Sequence, residues 1–231
     1  MQDYVSSGFS RKRPELVIER FDVQEPEATF PESSLPESAE SASRDDDLQL
    51  IASEIASCVR CGLCAGRKTT VPGEGSLQPP VMFVGEGPGE EEDKSGRPFV
   101  GAAGQYLDKW IPAIGLRRED CFIANVVKCR PPRNREPHPE EIAACLPYLE
   151  RQVRVVRPGA ICCLGRIAAT TLLQRTTSLG ALRGKVHEWK GIPLVVTYHP
   201  SAVLRDNTLR KPVWDDLKLL KAVLTGAAGK S

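Results

Sequence analysis

Four short apolar runs separated by helical patterns constrain this chain more than any other feature. The runs are "PVMFVGE" (80–86), "CFIANVVK" (121–128), "GAICCLG" (159–165) and "IPLVVTYHP" (192–200). Between and after them lie the helical patterns "GQYLDKWIPAIG", "HPEEIAACLPYLERQVRVV", a helix beginning near Arg166, and "VWDDLKLLKAVL". Each run is too short for a helix and apolar on both faces, so it reads as a strand buried on both sides. Strand–helix alternation then gives a parallel sheet with helices on each face. The predicted fold is α/β: a single-domain, three-layer α/β/α arrangement around a central, mainly parallel four-stranded sheet. Sites in such sheets gather beyond the carboxyl ends of the strands. The polar residues Glu86, Asn125 and His199 stand at or just past those ends.

Charge divides the chain. Residues 1–47 carry 5 basic and 12 acidic side chains, which leaves 26 basic and 18 acidic in the remainder. The first 45 residues are rich in Pro, Ser and Glu without a sustained hydrophobic period, so they are expected to be a disordered acidic tail preceding a domain over 46–228. Asp46 reads as an N-cap leading into "DLQLIASEIASC", where Leu48, Ile51 and Ile55 form a helical stripe that delivers the chain to Cys58. The moderately basic domain fits a polyanionic partner. No apolar run approaches the roughly 20 residues that span a bilayer, and no signal-peptide pattern opens the chain. A soluble cytoplasmic protein is expected, its eight cysteines read for metal or cluster binding before disulfides.

The stretch "VGEGPGEEEDKSGRPFVGAAG" (84–104) first suggests a phosphate cradle. Gly85, Gly87 and Gly89 give G-x-G-x-G, but Glu90 stands where a dinucleotide fingerprint wants its third glycine. Glu90, Glu91, Glu92 and Asp93 would set four negative charges beside the phosphates, a repulsion that no helix dipole offsets. What remains is a turn whose glycines let the backbone approach a ligand closely, with Glu86 the first polar group past the strand. Phe99, between Pro98 and nearby glycines, either packs in the core or offers a stacking platform to a planar ligand.

Cys58 and Cys61 form C-x2-C, and Cys129 and Cys145 bracket "RPPRNREPHPEEIAA". Four thiolates from two separated loops suit tetrahedral zinc or an iron–sulfur cluster alike. Cys64 competes for a ligand role. Cys121, Cys162 and Cys163 lie in apolar strands and are expected to be buried for packing.

Together "GEGPGEEEDKSGRPFVGAAG", "NVVKCRPPRNREPHPEEIAAC", "TYHPSAVLR" and "CVRCGL" make the chain resemble the family-four, iron–sulfur uracil-DNA glycosylases over roughly residues 50–225. The resemblance implies a repair enzyme that flips uracil out of single- or double-stranded DNA and hydrolyses its N-glycosidic bond. It implies a [4Fe-4S] cluster on Cys58, Cys61, Cys129 and Cys145, and a monomer. The short segment after the third cysteine, with His138 its only histidine, departs from a related group that becomes trapped covalently on DNA. Glu86 stands where the broader family-five enzymes carry an apolar residue. Both departures favour ordinary turnover on uracil.

By this likeness Asn125 reads uracil through O4 and N3–H, His199 donates to O2, and Glu86 orients the attacking water and favours the sugar cation. Gly87 and Gly89 supply backbone amides and space, Phe99 stacks on the base, and Glu92 orders the loop or a water. Ser201 contacts a phosphate, Leu204 wedges into the gap left by the flipped base, and Arg205 neutralises backbone charge. The competing reading is a non-catalytic iron–sulfur module that binds DNA or senses redox state.

Overall fold

The computed structural model describes residues 37–226, with side chains from residue 43. The expected acidic tail lies outside the described residues up to position 36, and its last residues belong to a helix. Helix α1 (Glu37–Ala56) starts ahead of Asp46, which sits inside it rather than capping it. The Ser/Glu/Asp-rich first turns carry no apolar stripe, so periodicity reveals only the later part, where Ile51 and Ile55 are buried.

The chain continues through β1 (Glu74–Gly75), β2 (Val81–Gly85), α2 (Glu90–Ser95), α3 (Ala102–Ala113) and β3 (Phe122–Asn125). Then come α4 (Pro139–Val156), β4 (Ala160–Leu164), α5 (Arg166–Leu173), α6 (Leu179–Leu182) and β5 (Val186–Trp189). β6 (Ile192–Thr197), α7 (Pro200–Arg205) and α8 (Arg210–Leu224) complete it. The sheet has six strands in the order β1-β3-β2-β4-β6-β5, which corrects the expected four. The four central strands are parallel as predicted, while β1 and β5 are antiparallel additions at the two edges. Both edge strands escape a hydrophobic pattern: β1 is two residues long and β5 reads Val-His-Glu-Trp.

Alternation along the strands builds two cores. Met82, Val84, Ile161 and Cys163 face Leu149 and Val153 of α4. Val81, Phe83 and Cys162 face Leu107 and Ile111 of α3 and Leu217 of α8. Cys121, Cys162 and Cys163 are buried, as expected of packing cysteines. From β2 the chain moves to β3 on one side and then crosses to β4 on the other, which opens a crevice beyond the carboxyl end of β2. Gly85 and Asn125 are register partners, and the Val127 amide donates to the Glu86 carbonyl at 3.1 Å, so the segments leaving β2 and β3 run side by side. Among the described residues no helix is long and apolar enough to cross a membrane.

Candidate active site

A cavity of about 460 Å³ occupies this crevice and gathers Glu86, Asn125 and His199 from beyond β2, β3 and β6. Gly87, Gly89, Glu92 and Phe99 line it from the segment after β2, and Ser201 and Arg205 line it from α7. Leu204 lies outside the lining and is 47% exposed on the same helix. The glycine before Glu86 is sterically required: a Cβ on Gly85 would lie 2.4 Å from Asn125 Oδ1 and 2.6 Å from Phe99 Cζ.

The acidic run does not cradle phosphate, because one of its own carboxylates uses the local amides. Glu92 Oε2 accepts from the Gly89 amide at 3.1 Å, at the start of α2. Glu92 Oε1 accepts from the Val100 and Gly101 amides, each at 2.9 Å. This buried carboxylate ties the glycine turn to the Phe99 segment. Phe99 is itself buried, with φ at +52°, a conformation costing a non-glycine residue about 1–3 kcal/mol and kept only where surroundings enforce it. Its ring is part of the α3/α8-side core and also faces the cavity, 5.6 Å from the His199 ring at 35°.

Asn125 is 1% exposed, and its Oδ1 has no hydrogen-bond partner. A buried acceptor left unmade costs about 1–3 kcal/mol. His199 caps α7, with Nδ1 accepting from the Ser201 amide at 3.2 Å and lying 2.8 Å from Ser201 Oγ. That partnership leaves the ring proton on Nε2. Burial, with the nearby Arg205 charge adding to it and Glu92 opposing it, lowers the His199 pKa to about 4, so the ring is neutral at physiological pH. Ser201, whose expected phosphate contact involves DNA, is here a hydrogen-bond partner of the His199 ring.

Glu86 is half-buried, and burial raises its pKa to about 7; Glu136 adds to the rise and Arg166 opposes it. Glu136 and Arg166 also line the cavity and pair with each other at 2.5 Å. Neither stood out in the sequence, where they are 30 positions apart. Arg135 comes from the same segment, which is held by Arg135 pairing with Glu141 of α4 at 2.7 Å. That segment was legible only as a spacer between two cysteines.

A second, small cavity is lined by Cys58, Cys61, Cys64, Cys129 and Cys145 together with Arg60, Arg67 and Lys128. Arg67 Nη1 donates to Cys129 Sγ at 3.3 Å, and the Lys128 amide donates to Cys145 Sγ at 3.2 Å. Among the described residues no three His, Cys, Asp or Glu side chains converge on a point that would hold a single ion. Lys128 links this cavity to the first, since its Nζ donates to the Asn125 carbonyl at 2.9 Å and to Gln152 Oε1 at 2.7 Å.

Comparison with known proteins agrees with this geometry. The profile of the uracil DNA glycosylase superfamily matches residues 72–218. The chain is 46% identical over 189 residues to a type-4 uracil-DNA glycosylase of Saccharolobus solfataricus, covering 78% of this chain and 88% of that one. It is 47% identical to one from Pyrobaculum aerophilum over 75% and 92% of the two chains, and 43% identical to one from Thermotoga maritima over 78% and 96%. With the profile spanning the sheet and the pocket, and such relatives covered almost end to end, the chain belongs to the uracil-DNA glycosylase superfamily as one of its type-4 members, a hydrolase of DNA repair.

Proposed function

We propose that the first cavity is the uracil pocket and that its residues divide reading from chemistry. The observation that carries this reading is the unpartnered Asn125 Oδ1 in the cavity wall. Uracil offers N3–H to that oxygen and O4 to the carboxamide nitrogen. Cytosine presents an acceptor at N3 and a donor at C4, so both contacts would fail, at about 1–3 kcal/mol for each group left unpaired. Phe99 stacks on the extruded base, while Gly87 and Gly89 give the base room and Gly87 offers its backbone amide.

Breaking the glycosidic bond moves an electron pair onto uracil and leaves positive charge on the sugar. Neutral His199 donates from Nε2 to O2 as that oxygen gains charge. Ionised Glu86 lies on the sugar side, where it stabilises the cation and orients the water that completes hydrolysis. The proton lost by the water passes to Glu86, whose pKa near 7 suits it to accept and release it. Glu92 orders the loop; Arg205 and the exposed Leu204 serve the DNA backbone and the gap left by the base.

The cysteine cavity fits a [4Fe-4S] cluster. Its lining brings the thiols of the C-x2-C pair, Cys129 and Cys145 together, the soft four-ligand set that such a cluster takes. Four thiolates on such a core leave net negative charge, and Arg60, Arg67 and Lys128 line the cavity as counter-charges. By the family likeness Cys58, Cys61, Cys129 and Cys145 would hold it, with Cys64 lining the cavity as a non-ligand. When bound, the cluster supplies cross-linking of three chain segments beside the DNA rather than redox chemistry. The domain over 46–228 acts as a cytoplasmic monomer on uracil in single- or double-stranded DNA.

The test is single-turnover release of free uracil from a uracil-containing oligonucleotide, with Asn125→Ala alongside. Base release by the wild type and its loss in the variant, with the cluster spectrum intact, is the expected result. DNA binding without base release would favour the non-catalytic module.

A further inference from the structure

Phe99 is held in its left-handed conformation from two sides, and only one of the two holds was visible as part of the pocket. On the downstream side the Glu92 carboxylate takes the Val100 and Gly101 amides. On the upstream side Arg118 Nη2 donates to the Pro98 carbonyl at 2.6 Å and Nη1 donates to the Phe99 carbonyl at 3.2 Å. A carboxylate thus holds two amides and a guanidinium holds two carbonyls, with the strained residue between them. Arg118 is in turn fixed by two carboxylates: Nη1 meets Asp108 of α3 at 2.7 Å and Nη2 meets Glu74 of β1 at 3.2 Å. Glu74 also pairs with Arg97, next to Pro98, at 2.8 Å.

We propose that Arg118 is a positioning residue for base stacking: by gripping the Pro98 and Phe99 carbonyls from the short turn before β3, it fixes the angle at which the Phe99 ring meets the extruded uracil. Arg118 does not line the pocket. Its effect on the pocket runs through the Pro98–Phe99 segment, and the fork geometry that bridges two successive carbonyls is specific to a guanidinium; a lysine ammonium reaches one carbonyl at a time. Glu74, Asp108 and Arg118 come from β1, α3 and the turn before β3, so the aromatic platform is tied to three elements at the β1/β3 edge of the sheet. A loop residue with φ above zero would otherwise relax toward ordinary backbone angles and swing the ring away from the base.

This inference rests on the stacking role given to Phe99, and the experiment separates the two. Binding of uracil-containing and undamaged duplex is measured for the wild type, Phe99→Ala, Arg118→Met, Arg118→Lys and the Phe99→Ala/Arg118→Met pair, together with hydrogen exchange of the Val100 and Gly101 amides. Arg118→Met is expected to lose on the order of tenfold in preference for uracil-DNA while saturating single-turnover cleavage changes far less. The loss should disappear in the Phe99→Ala background, as a contact acting through one shared residue requires. Arg118→Lys should recover less than half of it, and the two amides should exchange faster in Arg118→Met. Should Arg118→Met fold poorly, Asp108→Asn removes one anchor and should shift preference and exchange in the same direction by less. If Phe99→Ala leaves uracil preference intact while Arg118→Met still speeds exchange, the stacking role fails but the grip on the loop stands. Unchanged exchange with unchanged preference, or a loss that adds in full to that of Phe99→Ala, overturns the proposal.

Discussion

The rings of Phe99 and His199 face the same cavity with centroids 5.6 Å apart and planes 35° apart, one ring arriving from the segment between α2 and α3 and the other from just past the end of β6. Their partners differ in kind. Phe99 has only a π-face to offer, whereas His199 has a directed Nε2–H. Phe99→Ala should therefore weaken uracil-DNA binding by roughly 1–3 kcal/mol relative to undamaged DNA. His199→Ala should leave affinity largely intact and slow single-turnover cleavage by on the order of 10². Fluorescence binding and quench-flow cleavage on one oligonucleotide separate the two.

Glu86 predicts a pH profile. Its pKa is raised to about 7, first by burial and then by Glu136, and the proposed chemistry needs the ionised form. Single-turnover rates should climb about tenfold per pH unit below 7 and level off above it, and Glu86→Gln should abolish that limb. His199, already neutral with its pKa lowered to about 4, should add none near 6.5.

The same shift has a signed effect on stability. A carboxyl whose folded pKa lies above its unfolded value favours the folded state while protonated, so that contribution is present at low pH. It is lost as pH rises from about 4.5 through 7. Thermal unfolding should show Glu86→Gln gaining stability over the wild type across this window, with a constant difference above it. A difference that does not vary with pH would count against a raised Glu86 pKa.

The cysteine cavity predicts about four irons per chain and a broad visible absorption. Cys129→Ser and Cys145→Ser should lose the iron and much of the folded stability, because each joins distant segments. Cys64→Ser should keep both. Iron analysis with circular dichroism checks this; one zinc and no iron in anaerobically prepared protein would contradict the cluster.

The four central strands were legible because each is an unbroken apolar run closed by glycine or a polar residue, and that same closure placed Glu86, Asn125 and His199 at the crevice. The edge strands were not, since an antiparallel strand half in solvent, such as Val186–Trp189, carries polar residues that read as loop. Glu92 was counted among repelling charges and, through the family likeness, read as ordering the loop or a water; its place three residues after Gly89 is that of a capping-box acid. Glu136, Arg166 and Arg118 became visible only on folding, because each matters through a partner many positions away. The orphaned Oδ1 of Asn125 likewise has no sequence signature: only a three-dimensional census of partners shows it.

The most direct measurement of the account's central claim is single-turnover cleavage of matched oligonucleotides carrying uracil or cytosine at one position, by the wild type and by Asn125→Ala. The account predicts that the wild type releases uracil and leaves cytosine in place. It predicts that Asn125→Ala, with its cluster spectrum unchanged and its affinity for undamaged DNA retained, cleaves uracil on the order of 10² more slowly. An Asn125→Ala protein that frees uracil at the wild-type rate and still ignores cytosine would show that the base is read elsewhere.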